Sequence, residues 1–284
     1  MEIVYKFCGK YGLEVLRNLE LKVTPPNQFN DPFEFTPKMF CSDPVGYATQ
    51  TLGHEQDLKV FYEMRRRENK FSGSFRAFQE VAKGEMAKWV AILAEAPQHT
   101  SPLIEKEFLD QVSNQYAVLC MSGRRNSILM WGHYCDKPQG VVIGFDSSSA
   151  PFQLGKGLRP VVYVQERVPR DACWRAGSAE MLNFEEQIIF FKSAEWQYEA
   201  ELRLFLALSS SSLTRKPLKG ENEILGYFLP FPPVAIVSVT FGPRTSPEFE
   251  NEVREVLHEP CFAHVKLDRT VLHKSTFELD FESL

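Results

Sequence analysis

The stretch from Lys192 to Leu206 constrains the fold most, because its second half alternates strictly between charged and apolar residues. Glu199, Glu201 and Arg203 are separated by alanine and leucine. A period of two predicts a β-strand with one polar and one apolar face. On such a strand the two carboxylates and the guanidinium share a face, with about 6.6 Å between alternate residues. A helix would turn Glu201 away from the other two charged residues.

The shared face of this strand has three interpretations. The simplest is a solvated face held by cross-strand ion pairs. Alternatively, paired carboxylates can hold a ribose hydroxyl and stabilise the oxocarbenium ion that forms as a glycosidic bond breaks. Glu199 and Glu201 can also bind a divalent metal for phosphodiester cleavage, with Asp146 as a further ligand. The metal pattern is incomplete, since Arg203 stands where that pattern has a lysine.

Composition limits the class of protein. The 284 residues are 44% hydrophobic and 24% charged, which is typical of a soluble globular chain with a large core. The net charge of −5 argues against a broadly basic surface for nucleic acid. No run approaches the roughly 20 apolar residues of a membrane span, and the N-terminus reads into a strand rather than a signal peptide. We therefore expect a cytoplasmic protein without a membrane segment.

The six cysteines and six histidines show no spacing typical of a metal site, and no Cys-x-x-Cys pair occurs. Scattered cysteines of this kind are expected to be free thiols in a reducing compartment. The sequence therefore predicts no bound metal.

Hydrophobic periodicity predicts an α+β fold in a single domain of residues 1–284. Three helical patterns within residues 55–115 predict a helical lobe inserted into this domain, and the last of them begins at Ser101 and Pro102. Ser127 and Ser246 are the expected N-caps of two further helices. The predicted strands are 3–8, 116–121, 139–146, 161–164 and 235–241, and the predicted helices outside the lobe include 128–134, 179–191 and 246–258.

An Asn-Asp-Pro turn is a second candidate feature. Asn30 and Asp31 lie between Phe29 and Phe33, whose rings are expected to fix the turn to the core. Such a turn is usually only structural, but a rigid polar loop can also belong to a binding site.

A third feature is the pair Trp131 and Tyr134, which share one face of the helix predicted over 128–134. They are either two core aromatic residues or a wall for a flat ring such as nicotinamide or a base.

Together these pieces resemble a bacterial family known as domain of unknown function 2971. No single piece is specific, but their combination and order are. The residues that carry the resemblance are Tyr5-Lys6, Leu21 to Pro25, Phe29 to Glu34, Met130 to Tyr134, Gly140 to Asp146, Lys192, Trp196, Glu199, Glu201, Arg203 and Phe241-Gly242.

The order of elements also resembles a divergent ADP-ribosyltransferase, a fold in which NAD binds in a cleft of a mixed or antiparallel two-sheet core. The resemblance implies that Tyr5 and Lys6 line the NAD site and that Trp131 and Tyr134 bracket nicotinamide. With the Asn-Asp-Pro turn and the lysine before the strand, the predicted NAD-binding residues are Tyr5, Lys6, Asn30, Asp31, Trp131, Tyr134 and Lys192.

The same resemblance implies that Glu201 is the catalytic carboxylate, that Glu199 contacts the acceptor, and that Arg203 orients the carboxylates or binds phosphate. Two features depart from the better-known enzymes: Lys6 stands where they have Arg or His, and a Ser-Thr-Ser strand motif is absent from the sequence. The resemblance extends to proteins of phage-defence and toxin systems. It implies NAD as co-substrate, a protein or nucleic-acid acceptor and a possible antitoxin or defence partner, with a non-enzymatic binding or immunity component as the alternative.

Overall fold

The computed structural model describes residues 2–85, 87–88, 90–91, 105–106, 108–174, 177–218 and 225–284. The chain divides into two compact units. Unit 1 comprises Met1–Glu34, Asp110–Glu166 and Ile189–Leu284, and unit 2 comprises Phe35–Leu109 and Arg167–Ile188. Whether they form one domain with an insert over residues 55–115 stays a prediction. Among the described helices, none has the length and apolar character needed to cross a membrane.

The secondary structure is mixed, which confirms the predicted α+β class. The strands are β1 (Ile3–Cys8), β2 (Glu20–Val23), β3 (Lys38–Phe40), β4 (Tyr116–Ser122), β5 (Val141–Asp146), β6 (Arg159–Pro160), β7 (Val162–Val164), β8 (Pro169–Asp171), β9 (Phe191–Ser193), β10 (Glu201–Ala207), β11 (Thr214–Pro217), β12 (Leu225–Pro230), β13 (Ile236–Phe241), β14 (Lys266–Leu272) and β15 (Leu279–Ser283). The helices whose bounds both lie within the described residues are α1 (Gly12–Asn18), α2 (Pro44–Gly53), α3 (Glu55–Arg67), α4 (Phe75–Gly84), α5 (Ile128–Tyr134), α6 (Ala179–Phe190) and α7 (Pro247–Leu257).

Unit 1 is built on an eight-stranded sheet in the order β15-β14-β13-β5-β1-β4-β10-β6. Every neighbouring pair is antiparallel except β13 and β14, which are parallel. The predicted N-caps are confirmed: Ser127 Oγ accepts from the amide of Met130, and Ser246 Oγ from that of Phe249. These caps satisfy amide groups that would otherwise lack a partner at the first turns of α5 and α7.

Strand β4 connects this sheet to a second one. β1 and β4 pair at Tyr5 and Ser122, whereas β1 and β5 pair along six residues. Further along β4, Val118 forms an antiparallel bridge with Thr24, which follows β2 of a three-stranded sheet, β11-β12-β2. β4 thus leaves β1 at one end and meets the second sheet at the other, and a gap opens between β1 and β4.

Unit 2 has its own apolar core, in which α2, α3 and α4 bury one face each. Helices α3 and α4 contribute Phe61, Tyr62 and Phe78, and the Phe78 ring contacts the other two. A two-stranded parallel sheet, β3-β8, lies in the same unit. Helix α2 was not predicted from the sequence. The predicted helix start at Ser101 and Pro102 lies outside the described residues, while residues 108–115 are helical.

The prediction that Glu199, Glu201 and Arg203 share one strand is wrong for Glu199, the first of the three residues. Ala194–Glu199 is a 3-10 helix, and Ala200 has a left-handed backbone with φ of 44°. β10 therefore begins at Glu201. An alternating pattern cannot reveal this break, because the residue that causes it is an alanine in an apolar position.

Candidate functional site

A cavity of about 340 Å³ lies in unit 1 at the gap between β1 and β4. Seven of the ten predicted site residues line it. They are Tyr5, Lys6, Asn30, Tyr134, Lys192, Glu199 and Glu201. The rest of the lining is mostly apolar and includes three polar residues. It consists of Phe7, Thr24, Gln28, Phe29, Val118, Cys120, Met121, Ser122 and Met130.

The local backbone places Glu199 and Glu201 side by side. The left-handed Ala200 turns the chain from the 3-10 helix into β10. Ser122 Oγ donates to the carbonyl oxygen of Glu199 at 2.6 Å, and the amide of Glu201 donates to the Tyr163 hydroxyl at 2.8 Å. The side chains of Glu199 and Glu201 therefore extend from a backbone that hydrogen bonds hold on both sides of the turn.

Lys192 joins three buried carboxylates. Its Nζ lies 2.6 Å from Glu199 Oε2, 2.9 Å from Glu201 Oε2 and 2.8 Å from Glu34 Oε1. The contacts to Glu199 and Glu201 are hydrogen bonds, whereas the contact to Glu34 is an ion pair without hydrogen-bond geometry. The Trp196 ring lies 5.0 Å from the same ammonium, which adds a cation–π contact.

Arg203 completes what we call the ion-pair cluster: Glu34, Lys192, Glu199, Glu201 and Arg203. Arg203 has no exposed surface. Its Nη2 lies 2.7 Å from Glu34 Oε2, its Nε lies 2.8 Å from Glu201 Oε1, and its Nη1 donates to the carbonyl oxygen of Ile189. A solvated strand face is therefore not what the structure shows. Arg203 orients two carboxylates and does not line the cavity, so it is not placed to bind phosphate there.

The cluster holds three carboxyl groups and two cations, so it carries one excess negative charge when all are ionised. Burial would raise the pKa of Glu201, but Arg203 and Lys192 outweigh it and hold that pKa at about 2. For Glu34 burial dominates over the same two cations, and its pKa is raised. Glu34 thus takes up a proton more readily than Glu201, and its protonation would leave the cluster neutral.

Tyr134 and Asn30 connect the cavity wall to Glu199. The Tyr134 hydroxyl donates to Glu199 Oε1 at 2.7 Å, and Asn30 hydrogen-bonds to the same hydroxyl. Burial and the Glu199 charge both raise the pKa of Tyr134, so the phenol remains a proton donor at neutral pH. Asn30, which belongs to the predicted Asn-Asp-Pro turn, thus lines the cavity and contacts Tyr134.

Lys6 bridges the gap in the sheet. Its Nζ donates to the carbonyl oxygen of Cys120 on β4 at 2.8 Å. Tyr5, the preceding residue, is the position at which β1 pairs with Ser122. Tyr5 and Lys6 therefore lie at the point where the two strands diverge.

Three predicted residues do not line the cavity. Trp131 is buried in the core, where its ring contacts Phe7 edge-on and its Nε1 donates to the carbonyl oxygen of Arg125. Asp31 is buried, and its Oδ1 accepts from the amide of Phe33. Asp31 shapes the turn, while Trp131 holds α5 against β1. Arg203, described above, is the third.

Asp146, the additional metal ligand considered for a nuclease, lies apart from the carboxylates. Glu201, Ser122, Tyr5 and Gly144 form one row across four adjacent strands, and Asp146 is two residues beyond Gly144. Three strand spacings of about 4.8 Å separate the row's ends by roughly 14 Å. Asp146 instead accepts hydrogen bonds from Ser148.

Sequence reasoning missed Glu34, Ser122 and Tyr163 as parts of the site. Glu34 closes the Phe-Asn-Asp-Pro-Phe-Glu turn and reaches Arg203, 169 residues later. Its signal was its place at the end of that turn. The expectation that both rings fix the turn to the core is wrong for Phe33, which is 61% exposed. Ser122 and Tyr163 act on backbone groups, and no sequence pattern marks such contacts.

Fold and site thus define an α+β protein with a cavity lined by carboxylates and phenols. A family model described as "Protein of unknown function (DUF2971)" matches residues 130–204, less than half of the chain. That segment contains Tyr134, Lys192, Glu199, Glu201 and Arg203. Neither the curated proteins nor the solved structures include a match to this chain. The ADP-ribosyltransferase resemblance stays a prediction.

Proposed function

We propose that this protein is an enzyme that binds NAD in the cavity and breaks its bond between nicotinamide and ribose. The main observation in favour of this proposal is that one cavity of about 340 Å³ is lined by Tyr5, Lys6, Tyr134 and Glu201. Small-molecule sites span roughly 300–1,000 Å³. This cavity is at the lower end, which suits the nicotinamide half of the dinucleotide better than the whole.

The charged side chains of the cavity can support cleavage of the bond between nicotinamide and ribose. When the bond breaks, its electron pair moves to the pyridinium nitrogen, and nicotinamide leaves as a neutral molecule without a proton donor. The positive charge that develops on the ribose is stabilised by an ionised carboxylate. Glu201, with a pKa of about 2, is ionised at neutral pH. The acceptor then bonds to the ribose carbon and loses its proton to solvent, with Glu199 as the second carboxylate beside it.

A second candidate is a binding or immunity component without turnover. It is favoured by the ion pairs that each member of the cluster forms within the chain, as in a structural network. A metal-dependent nuclease has less support. The Lys192 ammonium lies 2.6–2.9 Å from the three carboxylates and occupies the place where a metal ion would bind.

The biological setting rests on the family resemblance alone. It comprises a role in bacterial defence or a toxin system, a protein or nucleic-acid acceptor, and a possible antitoxin or defence partner. These remain part of the proposal.

The decisive experiment follows the fluorescence of 1,N6-etheno-NAD, which rises when the dinucleotide is cleaved. We expect turnover by the wild type, loss of at least a hundredfold in Glu201→Gln, and about a tenfold loss in Tyr134→Phe. Glu195→Gln is the matched control, because Glu195 is exposed in the same 3-10 helix. Asp146→Asn is expected to retain activity.

Two results would sink the proposal: no turnover together with no NAD-dependent thermal shift, or full turnover by Glu201→Gln. NAD binding without turnover would support the second candidate. Since Glu201→Gln disturbs a buried ion pair, its unfolding midpoint is measured in parallel. Tyr134→Phe leaves every ion pair in place and separates catalysis from folding.

A further inference from the structure

Unit 2 contains a cluster that the proposed function does not use: Cys41, Asp171 and Cys173, called here the thiol cluster. Their sulfur and carboxylate oxygen atoms lie within 4.8 Å of one another. Within the described residues this is the one group of three such side chains close enough to share a cation. All six cysteines of the chain are free.

The strand pairing brings these residues together. β3 and β8 are parallel neighbours, with Phe40 opposite Asp171. Parallel strands end at the same edge, so Cys41, directly after β3, lies beside Cys173, two residues after Asp171. The two sulfur atoms are 3.6 Å apart although 132 residues separate them.

We propose that the thiol cluster is a binding site for a thiophilic divalent cation of the zinc type, with Cys41 Sγ, Cys173 Sγ and an Asp171 carboxylate oxygen as ligands. Two thiolates on a tetrahedral zinc ion, at zinc–sulfur distances of about 2.3 Å, lie about 3.8 Å apart. The observed 3.6 Å is close to that edge length and far from the roughly 2.05 Å of a disulfide bond.

Asp171 is oriented as metal-bound carboxylates usually are. Its Oδ1 accepts from the amides of Ser42 at 3.1 Å and Cys173 at 3.0 Å. Such second contacts fix the direction of a ligand before the metal arrives. Asp171 is buried, whereas both thiols are half-buried, so the cation can reach the sulfur atoms from solvent.

Binding replaces the two thiol protons by one cation, and both protons leave to solvent. The protein supplies three ligands, and water completes the tetrahedron. Two thiolates favour zinc over the hard cations magnesium and calcium. The bound ion would add a cross-link between residues 38–43 and residues 169–173, which the strand pair β3-β8 and the hydrogen bond from Ser42 to Asp171 already join.

The test titrates the full-length, fully reduced protein with Zn²⁺ and with Co²⁺ in the absence of chelators. We expect one equivalent of metal per chain, a thiolate-to-cobalt charge-transfer band, and the ligand-field absorption of tetrahedral Co²⁺. Affinity should increase with pH, because protons compete with the metal.

Variants assign the ligands. Cys41→Ser and Cys173→Ser are expected to abolish the stoichiometric binding, and Asp171→Asn to weaken it at least tenfold while retaining an oxygen that accepts the two amides. Cys261→Ser is the control, since Cys261 is an exposed free thiol elsewhere. If a serine variant fails to fold, the cobalt spectrum of the wild type still shows whether thiolates bind the metal.

Substoichiometric or chelator-insensitive binding would overturn the proposal, as would binding that survives Cys41→Ser. A thiol pair that forms a disulfide under mild peroxide yet binds no metal when reduced would also overturn it. None of these readouts depends on NAD, so the site can fail while the proposed function stands.

Discussion

The ion-pair cluster of unit 1 and the thiol cluster of unit 2 both join segments that are far apart in sequence. Glu34 reaches Arg203 across 169 residues, and Cys41 reaches Cys173 across 132. In unit 1 the buried carboxylates find their counter-charges in the chain itself, in Lys192 and Arg203. In unit 2 two thiols lie beside one carboxylate, which backbone amides hold. The first cluster therefore contains two cationic side chains, whereas the second consists of side chains that bind cations.

The largest effect should come from Arg203→Met. This change leaves Glu34 and Glu201 facing each other in a buried site with only Lys192 to balance them. Removing one partner of a buried ion pair costs roughly 3–5 kcal/mol. We expect a loss of that size in the free energy of unfolding, measured by urea denaturation.

The control for this substitution is Arg17→Met. Arg17 and Glu252 form an ion pair at 3.5 Å, and both side chains are about half exposed. Exposed pairs of this type contribute about 0–1 kcal/mol. A loss below 1 kcal/mol in Arg203→Met would show that the cluster is not the buried network described here.

Much of the fold could be predicted from sequence periodicity, because the apolar residues of strands such as β1, β5 and β13 form a pattern within a few consecutive residues. Such a strand can be recognised without knowing its contacts to distant parts of the chain. Seven of the ten predicted site residues line one cavity, whereas Asp31, Trp131 and Arg203 do not, and the roles that the resemblance implies stay predictions. The left-handed Ala200 and the burial of Arg203 did not follow. Both depend on partners, Ser122 and Glu34, that tertiary structure supplies.

Acid titration distinguishes the carboxylates within the ion-pair cluster. The pKa of Glu201 is lowered from 4.5 to about 2, so its pairing contributes stability above pH 4.5 that is lost as the pH falls towards 2. Glu34 has a raised pKa, so its protonation adds stability as the pH falls towards 4.5. We expect the wild type to lose about 2–3 kcal/mol more than Glu201→Gln between pH 4.5 and pH 2.

Urea midpoints measured from neutral pH down to pH 2 cover both effects. Glu34→Gln should abolish the gain above pH 4.5 and leave the loss below it, and Glu195→Gln should follow the wild type. Parallel curves for the wild type and Glu201→Gln would contradict the assignment of the acid-sensitive group.

The smallest effect is expected in unit 2, from the double substitution Cys41→Ser and Cys173→Ser. In the presence of a chelator and a reductant, the substitution changes two half-buried side chains into smaller ones of similar shape, so the free energy of unfolding should change by less than about 1 kcal/mol. With one equivalent of Zn²⁺ the wild type alone should become more stable, because only the native thiol pair binds the ion. A metal-free loss as large as that of Arg203→Met would mean that the thiols are packing residues, and the contrast between the two clusters would disappear.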